Sequence, residues 1–152
     1  KDIQGITSLN GLRELTMAGC QLPKALVVKM PRLQKMELVA CSGLQRLEGQ
    51  LNGLTSLKID HCRDLEKVDV LSDESTLKKI VIERPSDQLV EIDFLAFASE
   101  LKEFRLSGSR LTDLGCLAGA GQLEIVDIEN SAFVRDLSVL KDKNSLKVLK
   151  LS

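Results

Sequence analysis

One apolar pattern recurs along nearly the whole chain of 152 residues. The unit is Leu-x-x-Leu-x-Leu-x-x-Cys with aliphatic substitutions, and a recurrence of this length is typical of repeat proteins. Successive units begin 21, 21, 23, 24, 22 and 23 residues apart, at Leu12, Leu33, Leu54, Leu77, Leu101, Leu123 and Leu146. A unit this short cannot bury its own apolar edge, so the units must stack on one another.

The spacing inside each unit predicts its local structure. Two apolar residues stand two apart, which places both side chains on one face of a strand. These pairs are Leu15/Met17, Met36/Leu38, Leu57/Ile59, Ile80/Ile82, Phe104/Leu106, Val126/Ile128 and Leu149/Leu151. In the later halves of four units, apolar residues stand three positions apart, at 44–47, 65–68, 111–114 and 137–140. This spacing favours a helical or 3₁₀ turn. The expected fold is an α/β repeat solenoid with a concave parallel β-sheet and short helical or 3₁₀ turns on the convex side.

A column of small residues lies three positions beyond each strand pair. Its members are Cys20, Cys41, Cys62, Pro85, Ser109 and Ser131. An inward thiol there could donate a hydrogen bond to a buried backbone carbonyl, or it could simply fill a tight space as a small apolar group. Pro85 has no backbone donor and coincides with the longer steps, so we expect the fourth repeat to be irregular.

These residues resemble the leucine-rich repeat family, whose unit of 20 to 29 residues has the same pattern. The segments Leu33-x-x-Met36-x-Leu38-x-x-Cys41 and Leu54-x-x-Leu57-x-Ile59-x-x-Cys62 look like the irregular repeats of plant nucleotide-binding immune receptors, as does the opening 2–6. The segment 111–117 is similar to the repeats of internalins and phosphatase regulators. The first resemblance implies the recognition or autoinhibitory region of an intracellular plant defence receptor; the second implies an adaptor or structural scaffold.

Residues 1–152 are expected to form one leucine-rich repeat solenoid of about seven repeats. Neither end has the polar pattern of a capping repeat, and Ile3 through Leu9 looks like the tail of an earlier repeat. We therefore expect the chain to be a fragment of a longer protein.

The sequence offers little material for catalysis. His61-Cys62 is the one adjacent His and Cys pair, but Cys62 belongs to the inward column and His61 should diverge from it. The acidic group Asp69, Asp73 and Glu74 lacks the spacing of a calcium loop and is expected to be a solvated turn. We expect no enzyme activity, no metal and no cofactor.

Charge and cysteine usage limit the possible partners and compartment. The 21 basic residues balance 22 acidic ones, which gives no electrostatic basis for nucleic-acid binding, and no apolar run is long enough for a membrane span. Three cysteines in one column cannot pair evenly, and no Asn stands in an Asn-x-Ser/Thr acceptor pattern. We expect reduced cysteines and a cytoplasmic location.

Strand residues that alternate with the inward apolar residues should face outward on the concave sheet. We expect these outward side chains to bind a protein partner. Charged residues are densest in the middle repeats, where we expect the contact at Lys58, Asp60, Lys79, Glu83, Glu103, Arg105 and Asp127. Arg105 should contribute most, because its planar guanidinium can bond a carboxylate with two donors. The alternative is a solvated face on which these charges pair with one another.

Overall fold

The computed structural model describes residues 3, 5–6, 9–73 and 75–152, and it consists of two parallel sheets with a core between them. The long sheet has seven strands in the order β1 (Glu14–Ala18), β3 (Lys35–Val39), β5 (Ser56–Asp60), β7 (Lys79–Glu83), β8 (Glu103–Ser107), β9 (Ile125–Glu129) and β10 (Val148–Leu151). The short sheet has three strands in the order β2 (Ala25–Lys29), β4 (Arg46–Gln50) and β6 (Lys67–Asp69). The chain therefore alternates between the two sides of a parallel β-solenoid, and the long sheet is the parallel sheet that the pattern predicted.

The register of the long sheet confirms the predicted repeat phase. Leu57 lies beside Ile80, and Leu106 lies beside Ile128, so equivalent positions of successive units are paired. Inward residues from the first six strands are buried, and those of β3, β5, β7 and β8 are almost completely so. Stacking thus covers the apolar edge of each unit with that of its neighbour.

A turn in the left-handed backbone conformation follows each of the first six strands of the long sheet. Its residues are Gly19, Ala40, His61, Arg84, Gly108 and Asn130, with φ between 45° and 64°. Each backbone N–H donates to the carbonyl at the end of the next repeat's strand, as Ala40 does to Asp60 at 2.8 Å and His61 to Glu83 at 3.0 Å. Left-handed backbone costs a non-glycine residue about 1 kcal/mol or more. The interstrand hydrogen bond helps offset this cost, so the turn ties each unit to the next.

The cysteine column acts in both of the ways considered above. The Cys41 thiol donates to the Met17 carbonyl at 3.3 Å, and the Cys62 thiol donates to the Leu38 carbonyl at 3.6 Å. Both side chains are buried, and all four cysteines of the chain are free. The column thus fills space and also supplies weak donors to carbonyls of the preceding repeat.

On the opposite side of the core, two of the predicted helical turns are wrong. Segments 44–47 and 65–68 lead into β4 and β6, which are extended strands. A strand rises about 3.3 Å per residue and a 3₁₀ turn only about 2.0 Å, so these segments cross their side of the core with fewer residues in extended form. Apolar residues three apart, such as Leu44 and Leu47, are both buried here although no helix joins them.

The later repeats do contain 3₁₀ turns, at Asp93–Phe97, Gly115–Gly119 and Ser138–Leu140. The last of these lies in the predicted segment 137–140, whereas segment 111–114 ends just before the second turn. The fourth repeat, which contains the buried Pro85, is where the short sheet stops and the turns begin. Step length alone does not decide this change, because the 23-residue unit 54–76 contains a strand on this side of the core and the 22-residue unit 101–122 contains a 3₁₀ turn.

The first described residues pack against the end of the core. Ile3 is buried against the core and Ile6 lies partly buried beside it, although several neighbouring positions lie outside the described residues. At the other end, Leu149 and Leu151 of β10 are exposed. The assignment of 1–152 as part of a longer chain stays a prediction.

Truncation of an inward residue should destabilise the fold far more than truncation of an outward one. We expect Leu57→Ala or Leu106→Ala to lower the free energy of unfolding by about 2–5 kcal/mol, because each side chain is fully enclosed. Glu37→Ala should cost about 1 kcal/mol or less, because Glu37 is partly exposed and pairs with Lys35 at 2.9 Å. Urea unfolding of the three variants checks this ranking, and Glu37→Ala as the worst would contradict the register.

Gly49 in β4 should be irreplaceable by alanine. It has φ of +148°, and a Cβ built on it would lie 2.0 Å from the carbonyl oxygen of Val28 in β2. We expect Gly49→Ala to lower the free energy of unfolding by about 2 kcal/mol or more. Gly121→Ala is the matched control, because a Cβ there meets nothing within 4 Å, and it should change stability by less than about 0.5 kcal/mol. Equal effects of the two substitutions in urea unfolding would contradict the close approach of β2 and β4.

Candidate functional site

All seven predicted binding residues lie at outward positions of the long sheet, on β5, β7, β8 and β9. Their exposure, however, differs from the expectation at two of them. Asp60 and Asp127 are 8% and 7% exposed, so neither presents a free carboxylate. Basic side chains lie against both carboxylates and cover them. Those at Asp127 come from neighbouring strands, and those at Asp60 come from its own strand and from two turns, which the alternation of a single strand could not indicate.

The first group of charges surrounds Arg105. Its Nε donates to Glu103 Oε1 at 2.5 Å, and its Nη1 lies 3.5 Å from Asp127 Oδ2. Lys79 Nζ lies 3.1 Å from Glu103 Oε1, and Lys150 Nζ lies 3.8 Å from Asp127 Oδ2. We call these five residues the Arg105 cluster. The guanidinium that was expected to bind a partner is already bonded to carboxylates of its own chain.

The cluster shifts the protonation equilibria of its members. Burial alone would raise the pKa of Glu103, but hydrogen bonds from Arg105 and Lys79 outweigh it and hold that pKa below its usual value. The hydrogen bond to Glu103 raises the pKa of Arg105 in turn. Both groups therefore stay charged and paired at neutral pH.

A second group of charges surrounds Asp60. Lys58 Nζ lies 3.7 Å from Asp60 Oδ2 and 3.2 Å from Glu83 Oε2. His61 Nδ1 lies 2.6 Å from Asp60 Oδ1, and Arg84 Nη2 lies 3.4 Å from the same oxygen. We call these five residues the Asp60 cluster. The structure therefore divides the seven predicted residues between two networks.

Sequence reasoning missed three members of these networks, His61, Arg84 and Lys150. Lys150 belongs to the same outward column as Arg105 and Asp127, so the register itself could have identified it. His61 and Arg84 occupy the left-handed turn. The same turn recurs in successive repeats of the structure, and it places both side chains within reach of Asp60.

One carboxylate oxygen in the Arg105 cluster is left without a partner. Asp127 Oδ1 is buried and receives no hydrogen bond from any residue that the structure describes. An unpaired buried polar atom costs about 1–3 kcal/mol. Every charged group of the cluster therefore has an opposite charge beside it, but the hydrogen bonding of Asp127 is incomplete.

A shallow depression of about 590 Å³ lies between the two clusters. Its rim carries Lys35, Lys58, Lys79 and Arg105, and Val81 lies at its floor. Each of these four basic groups is within 4 Å of a carboxylate. The depression is therefore polar, its basic groups are paired with carboxylates of the same chain, and none of its lining residues is aromatic.

The reactive residue types are placed for packing. The Cys62 thiol donates to the Leu38 and Asp60 carbonyls, and burial raises its pKa to about 11, so it is protonated and turned away from His61. Burial, assisted by the Asp93 and Asp113 carboxylates, raises the pKa of Cys116 to about 12. No group of three His, Cys, Asp or Glu in the described part of the chain could hold a metal ion. Asp69 and Asp73 are exposed, and Glu74 lies outside the described residues.

No helix within the described ranges combines the length and the apolar character that crossing a membrane requires.

The Arg105 cluster should make stability depend on pH. The folded-state pKa of Glu103 is lowered, so its stabilisation is present above the unfolded value of about 4.3 and is lost as pH falls through the folded value. We expect Glu103→Gln to be less stable than the wild type at pH 7, with the difference shrinking toward pH 3. Thermal melts at both pH values check this, and a difference that is constant with pH would contradict the contribution of Glu103.

The comparisons with known proteins identify no family for this chain. No family model matches it, and no curated protein matches it in sequence. Among solved structures, it is similar to an internalin from Listeria monocytogenes, with 13% sequence identity and a TM-score of 0.44. The match covers 99% of this chain and 59% of the internalin chain.

Proposed function

We propose that this protein is a noncatalytic protein–protein interaction module whose partner binds the outer face of the long sheet. The observation that carries the proposal is Asp127 Oδ1, a buried acceptor in the Arg105 cluster to which none of the described residues donates. A donor from a partner would satisfy this oxygen once Arg105 or Lys150 moved aside, and it would recover the hydrogen bond that the isolated chain lacks.

The backbone under this surface supports the same proposal. Seven strands in parallel register hold the outward side chains at fixed spacing, so a partner would have little conformational entropy to remove from the backbone. The two clusters alternate positive and negative groups along the sheet. Complementary charge on a partner could set its register there.

The same pairing speaks against nucleic acid as the partner. Phosphate binding needs cations that are free to replace counterions. On this face Lys58, Lys79, Arg105 and Lys150 all contact carboxylates of the chain itself. A protein partner with mixed charges fits this surface better than a polyanion does.

Within this class, we propose the recognition or autoinhibitory region of an intracellular plant immune receptor, of which residues 1–152 form a part. The irregular steps and the column Cys20, Cys41 and Cys62 support this assignment. The four free cysteines, with raised pKa values at Cys62 and Cys116, suit a reducing cytoplasm.

The second candidate is an adaptor or structural scaffold similar to internalins or phosphatase regulators. It is favoured by the later repeats, which carry 3₁₀ turns in place of strands, including the 22-residue repeat 101–122. A scaffold would not require a partner on the long sheet. The two candidates therefore differ in what the outer face binds.

The test is a pull-down with the full-length parent protein and with an Arg105→Glu, Lys58→Glu double variant. Each substitution places a carboxylate beside existing carboxylates of its cluster, so we expect loss of a bound partner by at least about tenfold. The matched control is Arg32→Glu with Lys141→Glu, two exposed basic residues that belong to neither cluster.

The alternatives give different results in the same experiment. Partners retained by the double variant but lost on changing loop 72–76 would move the site off the long sheet. Partners retained by every variant would favour the scaffold. Turnover abolished by His61→Ala in hydrolase, phosphatase or deaminase assays would overturn the noncatalytic assignment.

A further inference from the structure

A groove of about 460 Å³ lies on the side of the core opposite the long sheet. It is bounded by β6, the last strand of the short sheet, and by residues 90–97, which include the 3₁₀ turn Asp93–Phe97. We call it the junction groove, because it marks the change from strands to turns. None of the residues predicted to bind a partner lines it.

The β6 side of the groove presents an open sheet edge. β6 pairs with β4 on one side, and no described strand pairs with its other side. In the preceding repeats, the Lys24 and Gln45 carbonyls each accept two backbone N–H groups from the next unit, at 2.8–3.1 Å. The equivalent carbonyl of Glu66 receives no backbone N–H from the described residues. The edge therefore has acceptor capacity for one more strand.

The floor and rim of the groove are apolar. Val68 and Phe94 are buried beneath it, at 5% exposure each. Val90 and Phe97 stand at its rim and are 55% and 40% exposed, which is unusual among the large apolar residues of this chain. An aliphatic side chain placed between these residues would bury apolar surface on both sides.

The charge of the groove is acidic. Glu66, Asp69, Glu91 and Asp93 line it, against the single base Lys67. Lys67 Nζ lies 4.0 Å from Asp69 Oδ2, and both side chains are more than half exposed. Unlike the clusters on the long sheet, this surface has carboxylates in excess of the cations beside it.

We infer that the junction groove binds an extended peptide segment of a partner protein, with alternating aliphatic and basic residues, which adds to β6 as a fourth strand of the short sheet. Backbone N–H groups of the peptide would donate to the Glu66 carbonyl, as the preceding repeats do at Lys24 and Gln45. Its aliphatic side chains pack on Val68 and Phe94, and its basic side chains face Glu91 and Asp93. This mode of recognition combines main-chain hydrogen bonds with alternate side-chain contacts. The inference does not depend on the function proposed for the long sheet.

The test measures fluorescence anisotropy of a labelled, acetylated peptide Lys-Val-Arg-Val-Lys added to the whole chain. We expect saturable binding that weakens between about 50 mM and about 500 mM salt, since exposed charges are screened. The acidic peptide Glu-Val-Glu-Val-Glu should not bind. A basic peptide N-methylated at its internal amides cannot donate to the edge and should bind at least about tenfold more weakly.

Two variants of the chain locate the binding site, each with a matched control. Glu91→Lys should weaken binding about fivefold, whereas Asp142→Lys, which makes the same charge change at another exposed site, should not alter it. Val90→Ser should weaken binding about fivefold, whereas Val27→Ser, at a similarly exposed valine of β2, should not. Circular dichroism melts establish that each variant is folded.

Three results would overturn the inference. The first is no anisotropy change up to about 1 mM peptide, because even weak specific binding would be visible there. The second is equal binding of the N-methylated and unmethylated peptides, or equal binding to Val90→Ser and Val27→Ser. The third is self-association of the chain, without peptide binding, that Val90→Ser abolishes, because it would make a second copy the occupant.

Discussion

The stacking of apolar strand residues is the constraint on which the rest of this structure depends. Each unit buries its inward pair only when the next unit covers it, as Leu57 is covered by the repeat of Ile80. The left-handed turn at each strand end fixes this stacking, since its N–H reaches a carbonyl one repeat further on. Local turn geometry and long-range packing thus support the same register.

The two sides of the core use charge in different ways. On the long sheet, outward columns place acids and bases of adjacent strands side by side, and they pair into the Arg105 and Asp60 clusters. This pairing follows from strand spacing, because long basic side chains reach carboxylates on the neighbouring strand. At the junction groove the short sheet ends, so Glu91 and Asp93 have no basic neighbour on a further strand. The continuous long sheet therefore pairs the charges on its outer face. The end of the short sheet leaves the carboxylates of the junction groove without such partners.

Prediction from sequence succeeded where one unit resembles the next. Seven outward residues from Lys58 to Asp127 were assigned to the correct face, because strand alternation depends only on local spacing. The same reasoning failed at 44–47 and 65–68, where apolar residues three apart fitted either a turn or the start of a strand. It also failed for the exposure of Asp60 and Asp127, since side chains of neighbouring repeats, such as Arg84 and Arg105, help to cover them.

The sequence by itself determined the repeat phase, the inward residues and the parallel order of the long sheet. Those features follow from an apolar periodicity that each unit carries in its own few residues. The tertiary structure decided whether each unit returns through a strand or a 3₁₀ turn, and which charges are enclosed. Those outcomes depend on contacts between residues more than 20 positions apart, such as Arg84 with Asp60 and Arg105 with Asp127. Such contacts form only once stacked repeats bring neighbouring strands within the reach of a single side chain.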